Sequence, residues 1–313
     1  MPVPPSAGES CLKVGPGCPV EGTLYGYYPS LPANAFFAAV FALCFILQLI
    51  FGIKYKTWTY MIALGLGCVS EAAGYGGRIM MHANPFDDNG FQLQICLLII
   101  SPAFISAGIY ITLKHIVLNF GEDWSRLRSN YYTYIFITGD FISLCLQGAG
   151  GGLAATADNG SKLQDTGTSL MISGVVFQVV MLACFGYLLV EYTLRTHRRR
   201  NQLSAHSMML FHTTSFRCFI AAIVIAYFGI LIRCIYRIPE LAMGWRSELM
   251  RNETDFIVLE GVMIVISAVV LTVFHPGFCF PALANTIGKK NKTSREKSTD
   301  ESLNTERMTD ATV

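Results

Sequence analysis

An all-α fold is expected for this chain, an integral membrane bundle of seven transmembrane helices with the N-terminus outside and the C-terminus in the cytosol. Three observations lead there. Of 313 residues, 52% are hydrophobic and 14% charged, with a mean hydropathy of +0.45, whereas a water-soluble domain carries roughly 25% charged residues. Seven apolar stretches reach the ~20 residues a helix needs to cross a hydrocarbon core about 30 Å thick. Lysine and arginine also segregate to alternate loops. The totals of 23 Lys+Arg and 21 Asp+Glu nearly cancel, so no overall charge argues for nucleic acid as a partner.

Residues 1–32 are expected to form an extracytosolic tail. Its start, MPVPPSAGES, has no apolar core of the kind a cleavable signal peptide needs, so the first span is expected to act as the insertion signal. Cys11 and Cys18 are the only cysteines of this tail and close a short Gly/Pro-containing loop. In an oxidising compartment they are expected to form a disulfide. The other eight cysteines lie in or beside the spans and read as small apolar packing residues.

The transmembrane domain is expected over 33–280, with spans at about 33–53, 57–81, 91–113, 131–153, 168–193, 216–236 and 255–276. The second carries Glu71 and Arg78 and the sixth two arginines, so those two rest on their context between stronger spans. After 281 the composition turns to Lys, Ser, Thr and Glu, with no aromatic beyond Phe280. A disordered cytosolic tail is expected over 281–313.

Orientation follows from the basic residues. Fifteen fall on one side: Lys54 and Lys56; Lys114, Arg126 and Arg128; Arg195, Arg198, Arg199 and Arg200; and six in the tail. Five fall on the other: Lys13, Lys162, Arg237, Arg246 and Arg251. The richer side is cytosolic. Two glycosylation sequons, at Asn159 and Asn252, land on the outer side; a third at Asn291 falls in the cytosolic tail.

A charged side chain at the bilayer centre costs on the order of 2.5–3.5 kcal/mol even on the lenient insertion scale. Charges inside spans therefore need a partner, a wet cavity or a task. Glu71 and Arg78 are seven apart and share a helix face. Asp140 and Gln147 repeat that spacing in the fourth span, Gln178 lies in the fifth, and Arg233 and Arg237 are one turn apart in the sixth. Glu253, Asp255 and Glu260 mark the start of the seventh. With the orientation above, most of these groups lie in the outer half. A polar vestibule opening outward or laterally is expected, floored by Glu71, Asp140 and Gln178. A second reading stays open, in which pairs such as Glu71 with Arg233 or Arg78 with Glu260 are buried ion pairs fixing helix register.

Other chemistries lack their residues. Gly148 to Gly152 is followed by no Lys-Ser/Thr and lies in a span, so it reads as a Gly-x-x-x-Gly packing surface and not a phosphate loop. His82 and His275 fall at opposite ends of the bundle, about 30 Å apart, and cannot share a metal. No lysine lies within a span for a retinal Schiff base, and no nucleophile, base and orienting acid assemble. No enzyme activity, cofactor or metal is expected. No internal repeat is evident, and seven spans do not divide into the inverted repeats of many transporters.

An ordered set of segments resembles the fungal lipid-translocating exporter family, seven-helix proteins related to the aminocholesterol-resistance protein. It runs from Tyr28-Pro29 and Asn34 through Glu71-Ala-Ala-Gly-Tyr75-Gly-Gly-Arg78 and Ser101-Pro-Ala-Phe104 to Ala107 and Tyr110. Gly139-Asp140, Ser143, Gln147, Gly148, Gly174 and Gln178 follow. The longest match is Phe216-Arg217 leading to Ile232-Arg233-Cys-Ile-Tyr236-Arg237, then Glu240, Gly244, Glu253 and His275-Pro276-Gly277. The resemblance covers roughly 25–280.

It implies export or flipping of sphingoid long-chain bases or toxic sterol-like amphiphiles, with resistance to them as the outcome. Membrane lipids and an amphiphilic small molecule would be the partners. Glu71, Asp140 and Glu260 would meet the headgroup or couple protons, Arg78, Arg233 and Arg237 would be their charge partners, and Gln147 and Gln178 would hydrogen-bond. The plasma membrane is favoured, with the vacuolar and endoplasmic reticulum membranes as alternatives. The rival reading is a seven-helix sensor, receptor or regulator of lipid asymmetry; the sequence lacks a receptor-type Asn-Pro-x-x-Tyr in the last span.

Overall fold

Apolar side chains sit on the outside of this molecule at helical spacing. On the first helix Phe36, Leu43, Ile46, Ile50 and Ile53 are exposed while Asn34, Phe37, Phe41, Cys44, Gln48 and Gly52 are buried. Residues three and four apart share a helix face, so the outer face is uniformly greasy and the inner one carries the polar groups. A surface of that size left apolar matches lipid, not water.

The computed structural model describes residues 13–15, 18–23, 25–120, 129–156, 161–198, 213–243 and 251–279. Cys11, Asn159, Arg199, Arg200 and the tail 281–313 lie outside the described residues. Among the described residues there are seven long helices: α1 Leu31–Tyr55, α2 Trp58–Ala83, α3 Asp88–Phe120, α4 Ser129–Thr156, α5 Lys162–Arg198, α6 Thr214–Ala242 and a composite α7. The last begins with a turn, Glu253–Asp255, passes through a π-helical stretch, Phe256–Val262, and continues as α-helix, Met263–Val273. A short α8, Pro276–Cys279, follows. α1, α3, α4, α5 and α6 overrun their expected stretches at both ends, whereas α2 starts one residue later and α7 ends at Val273, before the expected 276.

Five segments are long and apolar enough to cross a membrane: Leu31–Tyr55, Asp88–Leu118, Lys162–Thr196, Thr214–Ala242 and Glu253–Cys279. The chain is a multi-pass membrane protein. The other two, α2 and α4, carry five glycines each and several of the buried polar groups. Consecutive helices pack on one another from α1 to α7, α7 closes back on α1, and α3 meets α6 across the middle. α1 turns into α2 through Lys56, whose left-handed backbone (φ 57°) ends the helix, with its N–H donating to the Gly52 carbonyl.

The α4–α5 seam rests on glycine. A Cβ at Gly150 would stand 2.6 Å from the Gly167 carbonyl oxygen and from the Met171 nitrogen, and one at Gly167 2.7 Å from Gly150 oxygen. Gly148 and Gly152 face open space instead. The packing surface expected of the Gly148–Gly152 run is therefore offset: Gly150, not the flanking pair, makes the close approach.

The two ends of the bundle differ. At one, His275 is buried beside Tyr60, with ring centroids 5.2 Å apart, and its Nδ1 accepts from the Gly277 N–H at 3.0 Å. At the other, the segment before α1 folds over the helix ends. The Tyr25 hydroxyl accepts from Gln94 Nε2 at 2.9 Å, Tyr27 from Arg78 at 3.1 Å, and the Ser30 N–H donates to Glu253 at 2.5 Å. Gly26 takes φ 73° under the Arg251 guanidinium, a conformation glycine adopts without strain. Cys18 is disulfide-bonded; the expected partner, Cys11, lies outside the described residues.

Candidate functional site

The buried charges gather where α2, α3, α6 and α7 meet. Arg233 is the hub. Its Nη1 donates to Glu71 Oε1 at 2.6 Å, and its Nη2 to Glu260 Oε1 at 3.1 Å and to the Leu98 carbonyl at 2.5 Å. One turn along α6, Arg237 donates to the same Glu260 oxygen at 2.9 Å and to Glu240 at 3.1 Å. Glu71, Glu260 and Arg233 are each 0–1% exposed. Buried charges are tolerated when paired and hydrogen-bonded.

Local structure explains how the sequence builds this hub. Pro102 lies inside α3, and a proline lacks the N–H that would bond the carbonyl four residues earlier. That carbonyl belongs to Leu98, and it is the one Arg233 takes. Glu260 lies inside the π-helical stretch of α7. Such wide turns shift side-chain register and recur at functional sites, and here Glu260 reaches both arginines.

Arg78 stands apart from this hub. It bonds Tyr27, lies 3.8 Å from Glu253, and has its guanidinium 3.8 Å from the Phe256 ring centroid. The Arg78–Glu260 pairing considered from sequence is thus not formed; Glu260 serves Arg233 and Arg237. Burial is the main cause that pushes the Tyr27 phenol above its ordinary range, against the opposing pull of Arg78. Tyr25 is raised for the same first reason.

Gln147 and Gln178 form a second group between α4 and α5. Gln147 Nε2 donates to Ser143 Oγ at 2.7 Å and Gln178 Oε1 at 3.1 Å, and Ser143 passes the chain to the Gly174 carbonyl at 2.7 Å. A cavity of about 20 Å³ joins this pair to the hub, walled by Gln147, Gln178, Arg233 and Arg237 with Pro102 and Cys234. It has room for one water molecule. The polar vestibule expected to open outward or laterally over Glu71, Asp140 and Gln178 is not open among the described residues: all three side chains are buried.

Asp140 makes a third group. Its Oδ2 lies 2.7 Å from Ser106 Oγ and 3.2 Å from the Tyr110 hydroxyl, and its Oδ1 has no partner. The Tyr110 ring packs on Phe185 and Phe136, with centroids 4.5 and 5.5 Å away. No arginine meets this carboxyl among the described residues. Of the remaining sequence candidates, Asn252 is exposed at the start of α7, where its side chain accepts from Thr254 N and donates to Asp255.

Sequence reasoning did not single out Ser106, Tyr110, Tyr25 and Tyr27 as partners of the charges. Ser106 and Tyr110 share a face of α3 by their spacing of four, a signal that was readable. The reach of Tyr25 and Tyr27 over the helix ends was not, because it depends on how the tail folds back.

Comparison with known proteins adds an independent line. The family described as RTA1-like protein matches residues 64–283. The sphingoid long-chain base transporter RSB1 of Saccharomyces cerevisiae is 30% identical over 295 residues, covering 85% of this chain and 77% of that protein. Protoporphyrin uptake protein 1 of the same species is 29% identical over 213 residues, covering 66% and 65%. Protein RTM1 of S. cerevisiae is 28% identical over 222 residues, covering 70% and 68%. No solved structure matches the chain.

Proposed function

The chain belongs to the RTA1-like protein family, and we propose from this that it is a translocator exporting amphiphilic, lipid-like molecules, sphingoid long-chain bases or toxic sterol-like compounds, and so confers resistance to them. In this reading all seven long helices span the membrane. With 26 and 28 residues, α2 and α4 are about 39 and 42 Å long at 1.5 Å per residue, more than the ~30 Å of a hydrocarbon core. The N-terminus faces outward, Asn159 and Asn252 carry glycans, Cys11 and Cys18 form a disulfide, and the plasma membrane is the site of action.

The observation that carries the proposal is the Arg233 hub beside a small cavity onto which Gln147, Gln178, Arg233 and Arg237 open, deep in a bundle whose outside is apolar. An ion cluster of this cost is retained in a membrane protein where it has a task. An amphiphile keeps its tail in lipid while its headgroup enters between Gln147 and Gln178, which offer amide donors and acceptors. Glu71 and Glu260 then exchange part of their hold on Arg233 and Arg237 for a cationic headgroup, and no wide aqueous pore is needed.

The test is reconstitution of the purified protein in liposomes with a fluorescent sphingoid base followed between leaflets. Glu71→Gln and Asp140→Asn are run beside the wild type. Saturable movement, lost in folded variants, supports the translocator. Absence of movement above empty liposomes, across a panel of amphiphiles and imposed proton gradients, turns the assignment to a sensor or regulator.

A further inference from the structure

Resting on the translocator reading, the geometry points to a division of labour among the buried carboxyls: we propose that Asp140, with Ser106 and Tyr110, is the proton-binding site of the cycle, and that the arginine-bound glutamates are not.

Hydroxyl counting carries the argument. Ser106 Oγ lies 2.7 Å from Asp140 Oδ2 and 3.0 Å from the Ala103 carbonyl oxygen, yet a serine hydroxyl has one proton to donate. With Asp140 neutral, its O–H donates to Ser106, and Ser106 donates to Ala103. With Asp140 ionised, the Ser106 hydroxyl swings to Oδ2, where it joins the Tyr110 hydroxyl at 3.2 Å. The Ala103 carbonyl then loses only its extra side-chain donor. Rotation of one O–H bond keeps Oδ2 partnered in both forms with no heavy atom displaced, while Oδ1 is without a partner in either. Binding or loss of a proton therefore leaves no polar group newly stranded, which is what a reversible proton site needs inside a packed bundle.

The glutamates lack this property. Glu71 and Glu260 hold Arg233, Glu260 and Glu240 hold Arg237, and Glu253 lies against Arg78. Each of them pairs with a buried guanidinium, so a proton on any of them weakens the hold on an arginine. Asp140 has no such obligation. From α3 it faces Ser106 and Tyr110, and from α6 the Cys234 thiol is within its electrostatic reach. The α5 side chain packed on its Tyr110 partner is Phe185. Asp140 and Gln147 share a face of α4, seven residues apart, and Gln147 lines the cavity, so the proton site and the headgroup site lie along one helix face and can respond to each other. The step is an acid–base exchange: the Asp140 O–H bond breaks, its electron pair stays on Oδ2, and the proton passes to water. The return reverses each change.

Infrared difference spectroscopy on the full-length protein in lipid nanodiscs tests this without relying on transport. The wild type should show a protonated-carboxyl C=O band that disappears on alkalinisation. The band should be absent from Asp140→Asn and present in Glu71→Gln. Tyr110→Phe, which removes only one hydroxyl, should shift the pH at which it disappears and covers the case in which Asp140→Asn does not fold. In liposomes, Asp140→Asn should lose the amphiphile movement that a pH gradient drives in the wild type. A band that survives in Asp140→Asn, no titrating band in the wild type, or unchanged gradient dependence in that variant overturns the proposal. A band that behaves as described in a protein that moves no amphiphile supports the proton site and rejects the translocator.

Discussion

The backbone carbonyl of Leu98 accepts a hydrogen bond from Arg233, with 2.5 Å between its oxygen and Nη2. It is free to do so because Pro102, four residues on, has no N–H to offer it. Pro102→Ala should restore the α3 bond and withdraw the carbonyl from Arg233. Removing an interior proline gains about 3 kcal/mol of helix propensity, while losing a hydrogen bond to a charged group costs about 1.5–3 kcal/mol. The two nearly cancel. Unfolding in mixed micelles should thus show a change of no more than about 1.5 kcal/mol, while transport falls about tenfold or more as Arg233 loses its anchor.

Arg233 is shared by Glu71 and Glu260, so its removal strands Glu71 and leaves Glu260 to Arg237 alone. Arg233→Met should destabilise the protein by about 3–5 kcal/mol, the usual result of leaving a buried charge unpaired. Adding Glu71→Leu should recover much of that loss, because Arg237 still holds Glu260. Stability measured by denaturant titration checks the recovery. Transport should stay absent from both variants, which separates a role in the cycle from a role in packing.

Helix number and order were legible because apolar runs of span length need no tertiary information. The positions of Glu71, Arg233, Arg237 and Glu260 stood out for the same reason, as charges where charges are costly. Which acid meets which arginine was not legible. That depends on the wide turn that aims Glu260 and on the carbonyl that Pro102 releases, and neither follows from helical periodicity. Arg78 shows the limit most clearly, since its partners come from a tail whose fold over the helix ends has no period to read.

That tail should respond to alkali. The Tyr25 and Tyr27 phenols are held above their ordinary value of 10 by burial. An acid whose folded value is raised stabilises the fold below its unfolded value and loses that contribution as pH climbs toward the folded one. Tail docking should therefore be intact at neutral pH and weaken above about pH 10. Tyrosinate absorbance should rise late and together with protease cleavage near Gly26. Tyr27→Phe, which takes an acceptor from the buried Arg78, should loosen the tail by about 1–2 kcal/mol at neutral pH and reduce the late absorbance step.

Gly150 and Gly148 lie two residues apart on α4 and should answer oppositely to the same substitution. A Cβ at Gly150 meets backbone atoms of α5 at 2.6 Å, which cannot swing aside, whereas Gly148 has open space. Gly150→Ala should force the two helices apart and destabilise the protein by about 1–3 kcal/mol, as overpacking does. Gly148→Ala should stabilise by about 0.5–1 kcal/mol through the better helix propensity of alanine. Thermal unfolding of the two variants side by side checks the pair. Because Gln147 and Gln178 face each other across this α4–α5 seam at 3.1 Å, spreading it at Gly150 should also pull them apart and slow transport, and Gly148→Ala should leave the rate unchanged.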